Sequence, residues 1–448
     1  MTGSTINLHA GKWSGLVGGI LLCLLAATAL ANTALGNVQA EQNLKDPEPK
    51  VRERAAQELG EGGNPAYVTV LAAAVQDQDE KVRMAVVKSL IRLGTEASLE
   101  PLSLALRDSI PEIRAWAING LVNFYLPGYV DTGVRGFFRS MKTRVGSFFS
   151  DVDTVVIDPD VQPSAEVVRT LGQTVTGAPY MQTRVQAARA LGILRAREAV
   201  PDLVKAAFDD DVDLILEVLR AFQKIKETSV GPRISFLMNY PQKSVQRATA
   251  ITLGLLRTES AIPELRNLLE TTGEKDVRVA ALEALAFMPQ PETGPVFLRY
   301  LENKEKLLRA AAALGLGRLK DLRYPGALEQ ARAKERDRSV RLALDFALVA
   351  HGNMDYLENV VAELDSRVRR GEARPYLIEL AREQRVREAL RPHLYSTDAD
   401  IRKNLCMVYA ASGSSSSISY LEVLLDDSNA EVAEEARRAI RILRSRGL

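Results

Sequence analysis

The chain has 448 residues, of which 46% are hydrophobic and 26% charged, and its formal net charge is +1 at pH 7. This near-neutral balance argues against nucleic acid or a bulk anionic surface as the partner, because such binding requires a dense positive field. With three His and two Cys, the chain is also poor in the side chains that hold most transition metals. Length alone suggests two or three globular domains, but an internal repeat indicates one elongated array instead.

The first 31 residues have the pattern of a secretory signal peptide. Lys12 precedes an uncharged apolar run over 15–31, which ends in the Ala-x-Ala cleavage pattern. A second cleavage pattern lies at 38–40, and the alternative is an uncleaved anchor, because the run nearly reaches membrane-spanning length. The sequence therefore predicts an exported bacterial protein, periplasmic or associated with the envelope, with an N-terminal linker at 32–45.

One phrase recurs about every 31 residues after this leader. In the copy that begins at Val82, apolar residues occupy positions i, i+4 and i+8, which share one face of a helix. The twelve copies begin at Val51, Val82, Ile113, Thr183, Leu214, Val245, Val277, Leu308, Val340, Ala373, Ile401 and Val432. Such regularity predicts an array in which each unit buries its apolar face only against its neighbours.

A second apolar stretch lies between consecutive copies, usually with Pro near its start, as at Pro201 and Pro263. A short acidic turn such as 77–79 then caps the next helix. The unit is therefore a hairpin of an anchor helix, which carries the phrase, and a connecting helix. The predicted fold class is an all-α solenoid of about twelve hairpins, over 46–124 and 163–448.

The form Asp-x-x-x-x-Val-Arg-x-x-Ala-x-x-x-Leu-Gly, followed by a Pro-Leu helix, resembles the HEAT repeat. More narrowly, it is similar to the short HEAT-like repeat first named from phycobilisome lyases. The resemblance implies a ladder in which the repeated Arg pairs with the Asp of an adjacent turn, interrupted at Ile215, Gln246 and Ala433. The implied arginines are Arg52, Arg83, Arg114, Arg184, Arg278, Arg309, Arg341, Arg374 and Arg402, and the implied acids are Asp46, Asp77, Asp108, Asp209 and Asp427.

The sequence contains no recognisable catalytic or cofactor-binding constellation. HEAT-repeat deoxyhypusine hydroxylases hold a di-iron site with His-Glu pairs, and this chain has no His-Glu dipeptide. The resemblance to phycobilin lyases rests on the repeat alone, and Cys406, inside an anchor helix, is predicted to be a buried apolar side chain. We therefore predict no catalytic residue, no metal and no cofactor.

One segment interrupts the repeat and leaves 125–162 as an insertion. Its stretch from Asp131 to Phe149 carries a local charge of +3 and four of the eleven Phe. The candidate partner-binding residues are Trp116, Arg135, Phe137, Phe138, Arg139, Lys142, Arg144, Phe148 and Phe149. Two interpretations remain open. These side chains dock a partner or touch an anionic membrane, or the Phe pairs fold back onto the array, with Trp116 as their landing site.

These observations predict a non-catalytic protein–protein interaction scaffold that presents a curved helical surface to a protein or peptide in the cell envelope. One alternative is an enzyme or phycobilin-lyase-like protein with a pocket in the solenoid groove. Another is a structural envelope component anchored by an uncleaved leader.

Overall fold

The computed structural model describes residues 39–129, 155–158 and 161–446. Within these residues every regular element is a helix and no strand occurs, so the predicted all-α solenoid is confirmed. The predicted leader at 1–31 and the whole aromatic-basic stretch 131–149 of the insertion lie outside the described residues.

The anchor helices of the described residues contain the twelve repeat phrases, and we give them odd numbers. They are α1 (Pro49–Glu61), α3 (Glu80–Leu93), α5 (Pro111–Tyr125), α7 (Met181–Ile193), α9 (Val212–Ile225), α11 (Lys243–Leu255), α13 (Lys275–Phe287), α15 (Lys306–Leu319), α17 (Arg338–Ala350), α19 (Arg370–Leu380), α21 (Ala399–Ser412) and α23 (Ala430–Ser445). Each predicted phrase therefore corresponds to one helix.

The connecting helices take even numbers, and most are shorter than the anchor helices. They are α2 (Tyr67–Ala73), α4 (Leu99–Ala105), α6 (Ala165–Gly177), α8 (Val200–Ala206), α10 (Gly231–Ile234), α12 (Ile262–Thr271), α14 (Gly294–Tyr300), α16 (Pro325–Lys334), α18 (Leu357–Ala362), α20 (Gln384–Leu390) and α22 (Ser416–Glu422). Several follow a 3-10 turn, such as Glu96–Ser98 before α4.

The acidic turns start the anchor helices by capping them. The Asp79 carboxylate accepts hydrogen bonds from the backbone N–H groups of Lys81 and Val82, which the first turn of α3 leaves without helical partners. Gly94, with φ of 57°, ends the same helix in the left-handed conformation that glycine adopts readily. Turn chemistry therefore sets both boundaries of α3.

The repeat phrase faces the core. Val82, Val86 and Leu90 are all 0% exposed, as their shared helix face predicts. Neighbouring anchor helices approach so closely that a Cβ atom on Gly120 would lie 2.5 Å from the Ile91 side chain. Small residues at such points allow the hairpins to stack.

The described residues form two compact units. The first contains α1–α8 and the second contains α9–α23. In the first unit, ordered structure precedes α1, because residues 39–43 are helical and the side chains of Ala40 and Leu44 are buried.

Both flanks of the insertion are held by this unit. The Ile157 N–H donates to the Ile193 carbonyl (3.0 Å), and the Tyr125 hydroxyl accepts the Ser164 N–H (2.8 Å).

Candidate partner-binding surface

A ladder arginine such as Arg83 ties its anchor helix to two turns. Arg83 Nε donates to Asp108 Oδ2 in the following turn (2.6 Å), while its Nη1 donates to the Asp77 carbonyl in the preceding turn (2.8 Å). The carboxylate of Asp77 in turn accepts from Arg52 Nε (2.8 Å). Successive rungs are therefore linked, which fixes the spacing of the anchor helices in the first unit.

Four rungs are charge-assisted, two-bonded pairs, the strong form of the Arg–carboxylate interaction. They are those of Arg52, Arg83, Arg309 and Arg402. The hydrogen bond from Arg52 holds the pKa of Asp77 below its ordinary value, and the bond from Arg402 does the same to the pKa of Asp427. The side chain of Asp427 is only 7% exposed. Loss of an arginine would therefore leave a carboxylate that is both charged and largely buried.

Two rungs differ from the Arg–Asp pairing that the resemblance implies. Arg309 pairs with Glu335 rather than with an Asp (Nε–Oε2 2.6 Å), so a search for turn aspartates misses this acid. At Gln246, where the arginine is lost, the side-chain amide still donates to the Tyr240 carbonyl (2.8 Å). The bond to the preceding turn therefore survives there without a charge.

The prediction of an Asp-paired rung at Arg374 is wrong. The Arg374 guanidinium instead lies against Asn404 Oδ1 (3.4 Å) and Met407 Sδ (3.0 Å), and burial lowers its pKa. Arg370, one turn earlier on α19, forms the ion pair with Asp400 (3.1 Å). The repeat copy that begins at Ala373 therefore has no Arg–Asp rung of its own.

Arg114 carries the ladder across the insertion. It is 2% exposed, and its Nε donates to Thr183 Oγ1 on α7 (2.7 Å), 69 residues later in the chain. Its guanidinium lies 3.8 Å from the centre of the Tyr180 ring, a cation–π contact. A hydroxyl and an aromatic ring therefore take the place of the usual turn carboxylate, and α5 packs on α7 as if the insertion were absent.

Trp116 is the one predicted partner-binding residue within the described residues. It is half-buried on α5, and the Lys88 ammonium of α3 lies 4.9 Å from the centre of its ring. The other eight, which lie outside the described residues, are Arg135, Phe137, Phe138, Arg139, Lys142, Arg144, Phe148 and Phe149. The two interpretations of Trp116, contact with the insertion and contact with a partner, both stay predictions.

An open groove of about 500 Å³ runs across α1, α3 and α5, and its lining residue Lys88 contacts the Trp116 ring. Ala85, Ser89 and Ile113 are its buried lining residues and form its floor. Its remaining lining residues are Glu53, Gln57, Glu61, Glu80, Lys81, Met84, Lys88, Arg92, Ile110 and Glu112. The groove thus combines a small apolar floor with charged walls of both signs, and Lys88 connects it to the Trp116 ring.

The groove and the described histidines and cysteine offer little nucleophilic or metal chemistry. The Ser89 hydroxyl donates to the Ala56 carbonyl (2.7 Å), so its proton is already engaged in a hydrogen bond. Cys406 is 0% exposed, and burial raises the pKa of its thiol to about 12, which matches the predicted apolar side chain. In the part of the chain that the structure describes, no group of three or more His, Cys, Asp or Glu is arranged to hold a metal ion.

Family comparisons agree with this architecture. The family model described as HEAT repeats matches residues 39–122, 230–293 and 265–349. The family model described as PBS lyase HEAT-like repeat matches residues 183–209. The chain is a HEAT-repeat protein. Both the general HEAT resemblance and the narrower short-repeat resemblance predicted from the sequence are confirmed.

Solved structures of similar fold include an engineered protein, with 17% identity over 91% of this chain and 98% of that chain, at a TM-score of 0.36. The complex of CpcE and CpcF of phycocyanin lyase from Nostoc sp. PCC7120 shows 18% identity over 58% of this chain and 92% of that chain (TM-score 0.35). Importin beta shows 13% identity over 94% of this chain and 72% of that chain (TM-score 0.48). Comparison with the curated proteins gives no match. These distant likenesses carry no argument about function.

One exposed aromatic pair was missed by the sequence analysis. Phe208 and Phe236, in the second unit, are 64% and 41% exposed, and their rings stack with centres 4.5 Å apart. Phe208 directly precedes the turn acid Asp209, a place that Gln76 and Arg107 occupy in the first unit. An aromatic residue at a normally polar turn position is the signal that could have identified the pair.

Proposed function

We propose that this HEAT-repeat protein is a non-catalytic scaffold that binds a protein or peptide partner through the groove of α1, α3 and α5. The open groove beside Trp116 is the observation that carries the proposal. HEAT-repeat solenoids commonly bind protein partners, and partly exposed Trp, Arg and Met side chains are enriched at protein interfaces. The ladder holds the three helices in fixed register, so a partner meets a preformed surface.

Affinity capture with matched variants tests this proposal. The purified chain would be cross-linked to envelope extract, and captured proteins would be compared between the unchanged chain, Trp116→Ala and Leu104→Ala. Leu104 is a 40% exposed apolar residue on α4 that does not line the groove. The proposal expects one specific partner to be lost with Trp116→Ala and kept with Leu104→Ala. Equal capture by the two variants would contradict it.

A small-molecule function is the second candidate, because the groove volume of about 500 Å³ falls in the usual range for small-molecule sites. This candidate corresponds to an enzyme or lyase-like protein. Native mass spectrometry of the chain purified from its source separates the two candidates. A stoichiometric small ligand that Met84→Trp displaces would favour the second, while a ligand-free mass together with a captured protein supports the scaffold.

We also propose that the protein is exported and resides in the periplasm or at the envelope, on the pattern at 1–31. Among the described residues, no helix has the length and apolar composition needed to cross a bilayer. An uncleaved leader that anchors a structural envelope component is the alternative.

The mature N-terminus is a direct test of this location. Cleavage at 29–31 leaves the chain starting at Asn32, whereas cleavage at 38–40 removes Ala40, whose side chain is buried at 1% exposure. We therefore expect the intact mass of the native protein to correspond to a start at Asn32. A full-length mass in the membrane fraction would contradict cleavage and favour the anchored alternative.

A further inference from the structure

Arg318 contacts three anchor helices besides its own. It lies near the carboxyl end of α15, and its Nη1 donates to the Ala286 carbonyl at the end of α13 (3.3 Å). The guanidinium lies 4.4 Å from the ring centre of Phe287 and 5.7 Å from that of Phe346 on α17. An arginine enclosed by two aromatic rings is held in one orientation.

The same guanidinium forms a bidentate ion pair with Glu379 on α19. Arg318 Nε and Nη2 donate to the two carboxylate oxygens of Glu379, each at 2.9 Å. The two residues are 61 positions apart, which corresponds to two repeats, whereas Arg309 of the same helix pairs with Glu335 only 26 positions away. The Arg318–Glu379 pair therefore skips a repeat.

Close packing of α15 on α17 brings α19 within reach. A Cβ atom on Gly317 would lie 2.6 Å from the Ala347 Cα, so the two helices meet where α15 has no side chain. The imidazole Nε2 of His351, at the end of α17, lies 3.1 Å from the Leu316 carbonyl. With this small separation, the long side chain of Arg318 spans α17 and reaches Glu379.

A second and weaker tie runs in the same direction. Lys320, which caps α15 in the left-handed conformation (φ 51°), places its Nζ 2.5 Å from Glu383 Oε1. These side chains are 56% and 32% exposed, against 12% and 31% for Arg318 and Glu379. Since exposed pairs contribute little, we attribute the main effect to Arg318.

We propose that the Arg318–Glu379 pair is a lock that makes α15, α17 and α19 open as one cooperative segment. In a solenoid, stability is approximately a sum of units and nearest-neighbour interfaces, so separate openings are the default. A contact that skips a repeat is lost whenever any of the three helices moves away. This conformational lock goes beyond the proposed function and does not depend on it.

Hydrogen exchange of the full chain tests the lock, with Glu379→Gln as the variant and Glu335→Gln as the matched control. Both substitutions remove a carboxylate that pairs with an arginine of α15, but Glu335 belongs to the neighbouring turn. In the unchanged protein we expect the slowest amides of α15, α17 and α19 to share one opening equilibrium. Glu379→Gln should raise exchange in α19 about fivefold relative to α17, while Glu335→Gln should leave that ratio unchanged.

Three outcomes would overturn the lock. They are separate opening of the three helices in the unchanged protein, no change of the ratio in Glu379→Gln, or an equal change in Glu335→Gln. Arg318→Met and the double variant Arg318→Met/Glu379→Gln add a coupling test. The lock expects the double variant to exchange within about twofold of Arg318→Met, and multiplicative effects would contradict it. If Arg318→Met does not fold, the comparison of the two Glu variants still decides.

Discussion

Two stretches of anchor helices, α3–α5 in the first unit and α17–α19 in the second, use the same repeat positions with opposite results. Lys88 and Trp116 occupy the positions that Phe346 and Tyr376 occupy in the later stretch. The first pair is a cation–π contact beside an open groove, while the second is an aromatic pair with ring centres 5.0 Å apart.

A second equivalent position extends the comparison. Arg92, near the end of α3, pairs with Glu61 of the preceding anchor helix at 3.4 Å and is exposed. Arg318, at the same repeat position of α15, is enclosed and reaches two repeats onward to Glu379. The ladder also differs between the stretches, since Arg83 on α3 pairs with Asp108 while Arg374 on α19 reaches no turn acid. At equivalent positions of the anchor helices, the variable face is open in the first stretch and tied by Arg318 in the second unit.

The largest difference between the stretches should appear when an aromatic residue is removed from each. Phe346 is 1% exposed, so Phe346→Ala should lower the free energy of unfolding of the second unit by about 3–5 kcal/mol through loss of burial and a cavity. Trp116 is half-buried and contacts Lys88, which lines the open groove, so Trp116→Ala should cost at most about 2 kcal/mol. Denaturant unfolding of both variants checks this, and equal losses would remove the contrast.

Loss of a ladder rung should have the second-largest effect on the free energy of unfolding. Arg83→Met leaves the Asp108 carboxylate, 5% exposed, without its cation, and we expect a loss of about 2 kcal/mol in the first unit. Arg54→Met is the control, because Arg54 and Glu58 are 82% and 44% exposed, and it should cost less than about 0.5 kcal/mol. Adding Asp108→Asn to Arg83→Met removes the buried charge and should recover part of the loss. No recovery would show that the carboxylate is not the cause.

Acidification should change the stability of the two stretches in opposite directions, because the pKa is lowered for some carboxyl groups and raised for others. Arg52 holds the pKa of Asp77 below its unfolded value, so the stability from this rung is present above about pH 4 and is lost as the pH falls through the folded pKa. Burial raises the pKa of Asp345 and of Glu372, so protonation of these two groups adds stability as the pH falls through their raised values. Hydrogen exchange, corrected for intrinsic rates, should show α17–α19 gaining protection before the ladder of the first unit weakens. A simultaneous loss in both stretches would contradict these assignments.

The repeat phrase allowed the anchor helices to be predicted. It places apolar residues at the spacing of one helix face and an acid in the preceding turn, and both signals lie within a few residues of each other in the sequence. Arg52, Arg83 and Arg402 reach their aspartates because the repeat itself sets the distance. The Arg318–Glu379 pair could not be predicted in this way, since it depends on how closely α15 and α17 pack. The groove likewise arises from three helices together, and of its surroundings only Trp116 was singled out beforehand.

The most direct test of the account is a site-specific photo-cross-link from the groove in living cells. A photoreactive residue would replace Gln57 on the groove wall or, as the control, Glu100, which is exposed on α4. The scaffold account predicts one defined protein adduct from position 57, absent from position 100 and lost when Lys88→Glu or Trp116→Ala is added. Adducts of equal yield at both positions, or none at position 57, would contradict the claim that this groove binds the partner.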